Sequence, residues 1–169
     1  MALPEPDWQD WYDAHAPRLV LYARQWLPER ADAEDAVQAG FVRFWRSRSR
    51  PEPADLPLLF TAVRTAALDL AKSRRRRMRR EDRATAGSAT AWWDPDSLLN
   101  RERAAAVQEA VESLPAEQRE AVVLRVWGGL TFAEAARTIG GNINTVASRY
   151  RTAMATLRTR LEEACREPR

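Results

Sequence analysis

Residue types that commonly build reactive sites are scarce in this chain of 169 residues. Its one cysteine, Cys165, excludes an intrachain disulfide and a cysteine-based metal site. Its one histidine, His15, has no second histidine to pair with a nucleophile, so we interpret it as a capping or surface residue of the first helix. Neither a glycine-rich phosphate loop nor a His-Glu metal motif occurs. We therefore expect no enzymatic activity and no bound metal or cofactor.

Long apolar runs are also missing. No stretch approaches the length of a membrane span, so we expect no membrane insertion. The first residues, MALPEPDWQDWYD, lack the basic start and the apolar core of a signal peptide. We therefore expect a cytoplasmic protein.

Positive charge is concentrated in one short segment. The whole chain carries a net charge of +3, but residues 1–71 carry −3, residues 72–83 carry +6 and residues 84–169 are neutral. Arginine supplies nearly all of the basic charge, since Lys72 is the only lysine. Localised charge of this kind predicts a polyanionic partner. Because the run follows an amphipathic helix, we expect it to project from a folded surface and to bind phosphates without sequence selectivity.

Apolar residues recur at helical spacing along nearly the whole chain, and no alternating run is long enough to predict a strand. The prediction is an all-α fold of two small helical domains, residues 8–80 and 98–165. A flexible linker over residues 81–97 joins them, because that segment is small, polar and proline-bearing. Trp92 and Trp93 within it indicate a docking site, preferably on the chain's own domains and alternatively on a partner.

In the first domain, the pattern predicts a helix over Trp8–Trp26 that Pro28 ends, and a second from an Asp32 cap to about Arg48. After a proline-bearing loop, a third begins near Leu56 and continues into the basic run. In the second domain, apolar stripes precede a final pair of helices. The candidate core residues are Trp11, Leu19, Tyr22, Trp26, Val37, Phe41, Phe44, Trp45, Leu59, Phe60, Val63, Ala67, Leu70, Val107, Val111, Leu114, Val122, Val123 and Val126.

The final pair of helices, residues 131–158, has the signals of a helix-turn-helix. Thr131 and Glu134 form a capping box that starts the first helix, and Gly140-Gly141 stops it. Asn142 can cap the second helix. That helix is polar and cationic, with no acidic residue between Glu134 and Glu162, which suits the DNA major groove.

Two stretches that flank the basic run resemble a known family. Asp32–Trp45, DAEDAVQAGFVRFW, resembles the polymerase-binding helix of bacterial RNA polymerase sigma factors, in particular the extracytoplasmic-function group. The stretch from LPAEQR at Leu114–Arg119 to NTVASR at Asn144–Arg149 resembles that group's promoter-reading C-terminal domain. The resemblance implies a promoter-specificity subunit, a sigma region 2-like domain followed by a region 4-like domain. Such a subunit binds core RNA polymerase and directs initiation at the −10 and −35 elements of promoter DNA.

The resemblance also implies site residues and a further partner, an inhibitory anti-sigma factor. The residues implied in polymerase binding are Asp35, Gln38, Phe41, Arg43 and Trp45. Those implied in −10 binding are Arg64, Thr65 and Asp69, together with Arg74, Arg75, Arg76 and Arg77 of the basic run. Those implied in −35 binding are Arg125, Asn144, Thr145, Ser148, Arg149 and Arg151.

Two other functions fit parts of the sequence. A stand-alone helix-turn-helix regulator that binds operator DNA would use the same C-terminal half, but it leaves the Asp32–Trp45 helix unexplained. An RNA-binding or adaptor protein could be built around the arginine run and the Trp92-Trp93 pair. Neither accounts for both resembling stretches.

Overall fold

The computed structural model describes residues 8–47, 52–81 and 98–166. Every element within these ranges is helical, which confirms the all-α prediction. The chain divides into two compact units, residues 1–89 and 90–169. Most of the predicted linker, including Trp92 and Trp93, lies outside the described residues. The exact bounds of the two domains stay a prediction.

In residues 8–47 and 52–81, the first unit forms three α-helices and a short 3₁₀ turn. Their bounds are Trp8–Ala23 for α1, Arg30–Ser47 for α2, Pro53–Asp55 for the 3₁₀ turn and Leu56–Glu81 for α3. Helix α1 ends three residues before the predicted Trp26, because the N–H groups of Gln25 and Trp26 bond to carbonyls three residues back and tighten the chain into a turn. Helix α3 includes the arginine run up to Glu81, the first residue of the predicted linker.

The prediction that Asp32 caps α2 is wrong. The helix begins two residues earlier, at Arg30, so Asp32 lies inside its first turn and is 6% exposed. Its carboxylate bonds to the guanidinium of Arg74 on α3 rather than to backbone N–H groups of its own helix. The acidic residue therefore joins two helices instead of starting one.

Aromatic side chains fill much of the core of the first unit. Trp11 stacks on Phe44 with ring centres 5.6 Å apart, and Tyr22 meets Phe60 edge-on at 5.2 Å. Trp45 does not belong to this core, contrary to the sequence prediction, because it is 59% exposed. It follows Phe44 directly, and one helical step of about 100° turns it to the surface.

His15 is neither a cap nor a free surface residue. Its ring meets the edge of Trp11 at 4.7 Å, half-buried along α1. Burial lowers the pKa of this imidazole, and the charge of Arg18 lowers it further. The neutral ring therefore acts as a packing residue.

Helices α2 and α3 approach each other most closely at Gly40. A Cβ atom added there would lie 2.6 Å from Cγ2 of Val63 and 2.8 Å from its Cα. The second contact is with backbone, which a rotamer change cannot relieve. Only glycine lets the two helices pack at this distance.

Across residues 98–166, the second unit forms four α-helices and one wide turn of π-helix. Their bounds are Leu98–Glu112 for α4, Ala116–Val122 for α5, Val123–Trp127 for the π turn, Phe132–Ile139 for α6 and Ile143–Arg166 for α7. Helix α7 extends past Leu161 and ends at Arg166. Its inner side packs on α4 and α5 through a cluster of buried apolar residues: Ala110, Val111, Leu114, Val122, Ala153 and Leu157.

The π turn changes which residue of this stretch faces the core. The N–H of Gly128 donates to the carbonyl of Val123, five residues back, at 2.9 Å. The extra residue in the turn shifts the helical phase, so Trp127 packs against the core while Val126 is 51% exposed. The sequence prediction that Val126 is buried is therefore wrong, because it assumed an uninterrupted α-helix.

Candidate nucleic-acid interface

The helix-turn-helix begins with the capping box expected from the sequence. The hydroxyl of Thr131 accepts a hydrogen bond from the N–H of Glu134 at 3.2 Å, and the Glu134 carboxylate accepts one from the N–H of Thr131 at 2.7 Å. The bond from the Thr131 N–H, and after it the bond that the Thr131 hydroxyl donates to the same carboxylate at 2.8 Å, lower the pKa of Glu134. The box fixes where α6 starts and therefore how it presents the turn that follows.

The turn between the two helices also forms as predicted. Gly140 has a φ of +78°, the left-handed conformation that other residues rarely adopt. Its N–H and that of Gly141 both donate to the carbonyl of Ala136 at 2.9 Å, which ends α6. The side-chain oxygen of Asn142 then accepts a bond from the N–H of Asn144 at 2.8 Å and caps α7.

The N-terminal half of α7 presents a polar face around an open hollow of about 400 Å³. Four predicted −35 residues lie together at this surface. Two others, Gln118 and Thr152, also line it and were missed by the sequence reasoning. The hollow is lined by Gln118, Asn144, Thr145, Ser148, Arg149 and Thr152. Amide, hydroxyl and guanidinium groups on one helical face can donate to and accept from base edges in a major groove.

Arg149 is held at this hollow by an acidic residue from another helix. Its Nη2 atom lies 2.6 Å from Oε2 of Glu117, which belongs to α5. The side chain of Arg149 is 29% exposed and that of Glu117 is 70% exposed. The guanidinium is therefore oriented before any partner arrives.

The other two arginines predicted at this interface differ in their surroundings. Arg125, on the π turn, donates through Nη1 to the carbonyl of Leu130 at 3.0 Å, and its guanidinium lies 5.2 Å from the ring centre of Phe132. It therefore stabilises the connection into α6. Arg151 is exposed on α7. The structure does not place Arg125 among the residues around the hollow.

On α3, one exposed stripe joins the predicted base-reading positions to the basic run. Thr65, Asp69, Lys72, Arg76 and Arg79 recur at spacings of three and four residues, and all are exposed. Lys72 and Arg79 were not among the predicted site residues, although helical spacing applied to the run would have found them. The stripe places cationic groups on the same helical face as Thr65, where they can contact phosphates.

Arg74 lies on a different side of α3 from this stripe. It continues the inner row of Val63, Ala67 and Leu70 and pairs with the buried carboxylate of Asp32. Arg74 was predicted to contact DNA together with three other arginines, but its position makes it a link between α2 and α3. Arg75 and Arg77 are exposed.

The remaining predicted −10 residues make contacts within the first unit. The guanidinium of Arg64 lies 5.9 Å from the ring centre of Trp26. The hydroxyl of Thr65 donates to the carbonyl of Thr61 at 2.9 Å, which leaves its oxygen able to accept a further bond. Asp69 pairs with Arg43 of α2 at 3.3 Å, so a predicted DNA residue contacts a predicted polymerase residue.

Helix α2 presents a separate exposed face. Asp35, Gln38, Val42 and Trp45 follow each other at spacings of three and four residues, and all are exposed. Phe41 does not belong to this face. It is 8% exposed and meets Tyr12 edge-on at 4.8 Å, so it supports the helix from inside instead of offering a surface contact.

Other kinds of site find no support among the described residues. No group of three or more histidine, cysteine or acidic residues there could hold a metal ion. No helix in the same ranges is both long and apolar enough to cross a membrane.

The geometry therefore defines an all-α, helix-turn-helix protein with polar and cationic faces on two units. Comparison with family models divides the chain into the same two regions. Residues 11–77 match the model of sigma-70 region 2, and residues 104–157 match that of sigma-70 region 4.

Individual proteins agree with the family models. The chain is 37% identical over 131 residues to RNA polymerase sigma factor CarQ of Myxococcus xanthus, covering 75% of this chain and 72% of that protein. It is 32% identical over 161 residues to the ECF RNA polymerase sigma factor SigE of Mycolicibacterium smegmatis, covering 90% of this chain. The match spans only 61% of SigE, so the chain is well short of that relative's length.

A solved structure shares the fold. The sigma factor RpoE, crystallised with the anti-sigma factor NepR from Bartonella quintana, superposes with a TM-score of 0.67. The match has 23% identity and covers 93% of this chain and 98% of that one. The chain belongs to the sigma-70 family of RNA polymerase sigma factors, in the extracytoplasmic-function group. It is a promoter-recognising subunit, and a stand-alone operator-binding regulator is not favoured.

Proposed function

We propose that three surfaces of this chain divide the work of promoter recognition. The exposed face of α2, with Asp35, Gln38 and Trp45, binds core RNA polymerase. The exposed stripe of α3 from Thr65 to Arg79 binds the −10 region. The N-terminal half of α7 reads the −35 element. The observation that carries the proposal is the polar hollow on α7, because it gathers hydrogen-bonding side chains on a correctly capped recognition helix.

This assignment moves three predicted contact residues into supporting roles. Phe41 is buried, Arg74 is paired with Asp32, and Arg125 is bonded to the turn before α6. In the proposal each of them holds a surface in place, while the exposed neighbours make the contacts. Lys72 and Arg79 join the −10 surface, and Gln118 and Thr152 join the −35 surface.

Reconstitution tests the function directly. The purified chain is added to core RNA polymerase, and transcript starts are mapped on genomic DNA in the presence and absence of the chain. We expect starts that depend on the chain and share two upstream sequence elements. Gel filtration of the same mixture should show the chain co-eluting with the core enzyme. If no complex with core polymerase forms, the proposed function is wrong.

The polymerase surface can be separated from the DNA surface by one substitution. Asp35→Ala removes an exposed carboxylate from α2, and we expect weaker binding to core polymerase with unchanged binding to −35 duplex DNA. Asp10→Ala, which removes an exposed carboxylate from α1, is the matched control and should leave both affinities unchanged. Equal loss of both activities in Asp35→Ala would indicate misfolding instead of a lost contact.

We further infer an inhibitory protein partner and a cytoplasmic place of action. The structurally similar RpoE was crystallised with an anti-sigma factor, and this chain shares its fold. Core polymerase acts in the cytoplasm, which is where a specificity subunit must meet it. The chain supplies recognition and no catalysis in this proposal, since sigma factors are regulatory subunits. Affinity purification of the tagged chain from unstimulated cells should recover both the polymerase and an inhibitor.

A further inference from the structure

Glu117 occupies an unusual place for an acidic residue. It is the second residue of α5, and its carboxylate reaches across to the recognition helix, where it pairs with Arg149 at 2.6 Å. The side chain is 70% exposed, so its negative charge is open to solvent beside the recognition helix. No motif in the sequence assigned this residue a role.

The charge of Glu117 stands out against the rest of the reading surface. Helix α7 itself has no acidic residue before Glu162, and the groups around the hollow other than Arg149 are neutral amides and hydroxyls. One acid from a neighbouring helix therefore compensates the single cation at the hollow. The hollow is polar, but its net charge is close to zero.

We propose that Glu117 is a specificity-determining residue that keeps Arg149 from binding phosphates indiscriminately. The proposal rests on the function assigned to α7 above. Phosphates are the same in every DNA sequence, so a free arginine at this surface would raise affinity for all DNA alike. A carboxylate beside it repels phosphates and shares one edge of the guanidinium.

Base edges are affected differently by the same carboxylate. Guanine presents the neutral acceptors O6 and N7, which the remaining N–H groups of Arg149 can reach without bringing a phosphate close to Glu117. The acid also restricts the position of the guanidinium through its contact with Nη2, which favours a directed bond to a base over a diffuse ionic one. Discrimination then comes from a repulsive element as well as an attractive one.

Glu117→Gln tests this idea because it removes the charge while keeping a hydrogen-bond acceptor of similar shape. The full chain is titrated with a random-sequence duplex and with a duplex from a promoter mapped as described above, over a series of salt concentrations. An exposed ion pair contributes modestly, so we expect affinity for the random duplex to rise about fivefold. The slope of log affinity against log salt should steepen by about 0.9, the value for one added phosphate contact.

Affinity for the promoter duplex should rise less, so the ratio of specific to non-specific binding falls. Glu163→Gln is the matched control. It removes an exposed carboxylate from α7, about 21 Å along that helix from Arg149, beyond the screening length of about 10 Å at 0.1 M salt. Combining Glu117→Gln with Arg149→Ala should abolish the gain on random DNA, because the cation that would bind phosphate is gone.

The outcomes separate this inference from the function on which it rests. If the wild-type chain prefers the mapped promoter, and Glu117→Gln and Glu163→Gln give the same specificity ratio and salt slope, the inference is wrong and the function stands. If the wild-type chain shows no preference, the assignment of α7 itself fails. Thermal unfolding of Glu117→Gln is measured alongside. A lower melting temperature with an unchanged ratio would make Glu117 a purely structural tether and overturn the proposal.

Discussion

The cationic end of α3 and the N-terminal half of α7 handle positive charge in opposite ways. On α3, Lys72, Arg76 and Arg79 stand exposed on one face, close together and with basic neighbours. On α7, the arginine at the hollow is paired with Glu117 and surrounded by uncharged polar groups. Dense free charge gives affinity without selectivity, whereas compensated charge among hydrogen-bonding groups gives selectivity. In the proposed function, the exposed stripe of α3 therefore holds DNA without selectivity, and the polar face of α7 reads its sequence.

Gly40→Ala should have the largest effect of these substitutions, because it acts where α2 and α3 lie closest together. The added Cβ would meet the backbone of Val63, so α2 and α3 must move apart. We expect the first unit to lose about 3 kcal/mol of unfolding free energy, at the upper end for overpacking. Denaturant unfolding followed by circular dichroism measures it.

The matched control for Gly40→Ala lies in the second unit. Gly141 has no atom within 4 Å of an added Cβ. Gly141→Ala should change stability by less than about 0.5 kcal/mol. Equal effects of the two substitutions would show that the close approach of α2 and α3 is not what stabilises the first unit.

Arg149→Ala tests the reading surface. Loss of the guanidinium should weaken binding to a mapped −35 duplex by about 1–3 kcal/mol and affect random DNA much less. Arg158→Ala removes an exposed arginine further along α7 and is the control. Fluorescence anisotropy with both duplexes provides the measurement. An unchanged promoter affinity in Arg149→Ala would contradict base contact by this residue.

For the exposed stripe of α3 we expect equal effects on promoter and random DNA, because its cationic groups are proposed to contact phosphates. Lys72→Ala combined with Arg76→Ala should weaken promoter and random DNA by similar factors and reduce the salt slope by about 1.8, or 0.9 for each lost contact. Arg74→Ala removes a positive charge from the position between these two residues in the sequence. Because Arg74 is paired with Asp32, its loss should lower stability more than it changes the salt slope. A salt slope unaffected by the double substitution would remove α3 from the DNA interface.

The smallest effect concerns the start of the helix-turn-helix and depends on pH. The hydrogen bonds from Thr131 hold the pKa of Glu134 below its ordinary value of 4.5. The folded state therefore binds this proton less readily than the unfolded state, so the stabilisation is complete above the ordinary pKa and is lost as the pH falls through the folded pKa. Solvent exposure keeps it below about 1 kcal/mol.

The loss of melting temperature between neutral and acidic pH, which is the acid limb of the stability profile, should be smaller in Glu134→Gln than in the wild type. Glu163→Gln, which removes an exposed carboxylate near the end of α7, should leave that limb unchanged. If Glu134→Gln loses as much melting temperature on acidification as the wild type, then other carboxylates set the acid sensitivity.

Structure was predicted most accurately from the sequence where local chemistry decides it. Thr131, Glu134 and Gly140 act over three or four residues, so the capping box and the left-handed turn could be predicted without knowing the fold. Apolar spacing likewise placed Phe44 and Val63 in the core. Motif resemblance then identified the family before any contact was known.

Contacts between residues far apart in the chain could not be predicted from the sequence. Asp32 looked like a cap because acids favour helix starts, but its partner Arg74 is 42 residues away. Val126 fitted an α-helical stripe, and only the π turn that ends at Trp127 moves it outward. The link between Glu117 and Arg149 likewise joins helices that are far apart in the chain. Each of these depends on how two elements pack, which periodicity does not encode.

In the proposed −10 surface, the unbroken course of α3 fixes the register between Thr65 and the cationic groups that follow it. From Thr65 to Arg79 the helix advances about 21 Å at 1.5 Å per residue, close to six nucleotide steps of 3.4 Å along one strand. A single inserted residue between them would rotate every later side chain by about 100°. The charge would be conserved and the composition nearly so, yet Arg76 and Arg79 would leave the face of Thr65. Insertions in this helix are therefore far more damaging than substitutions among its arginines.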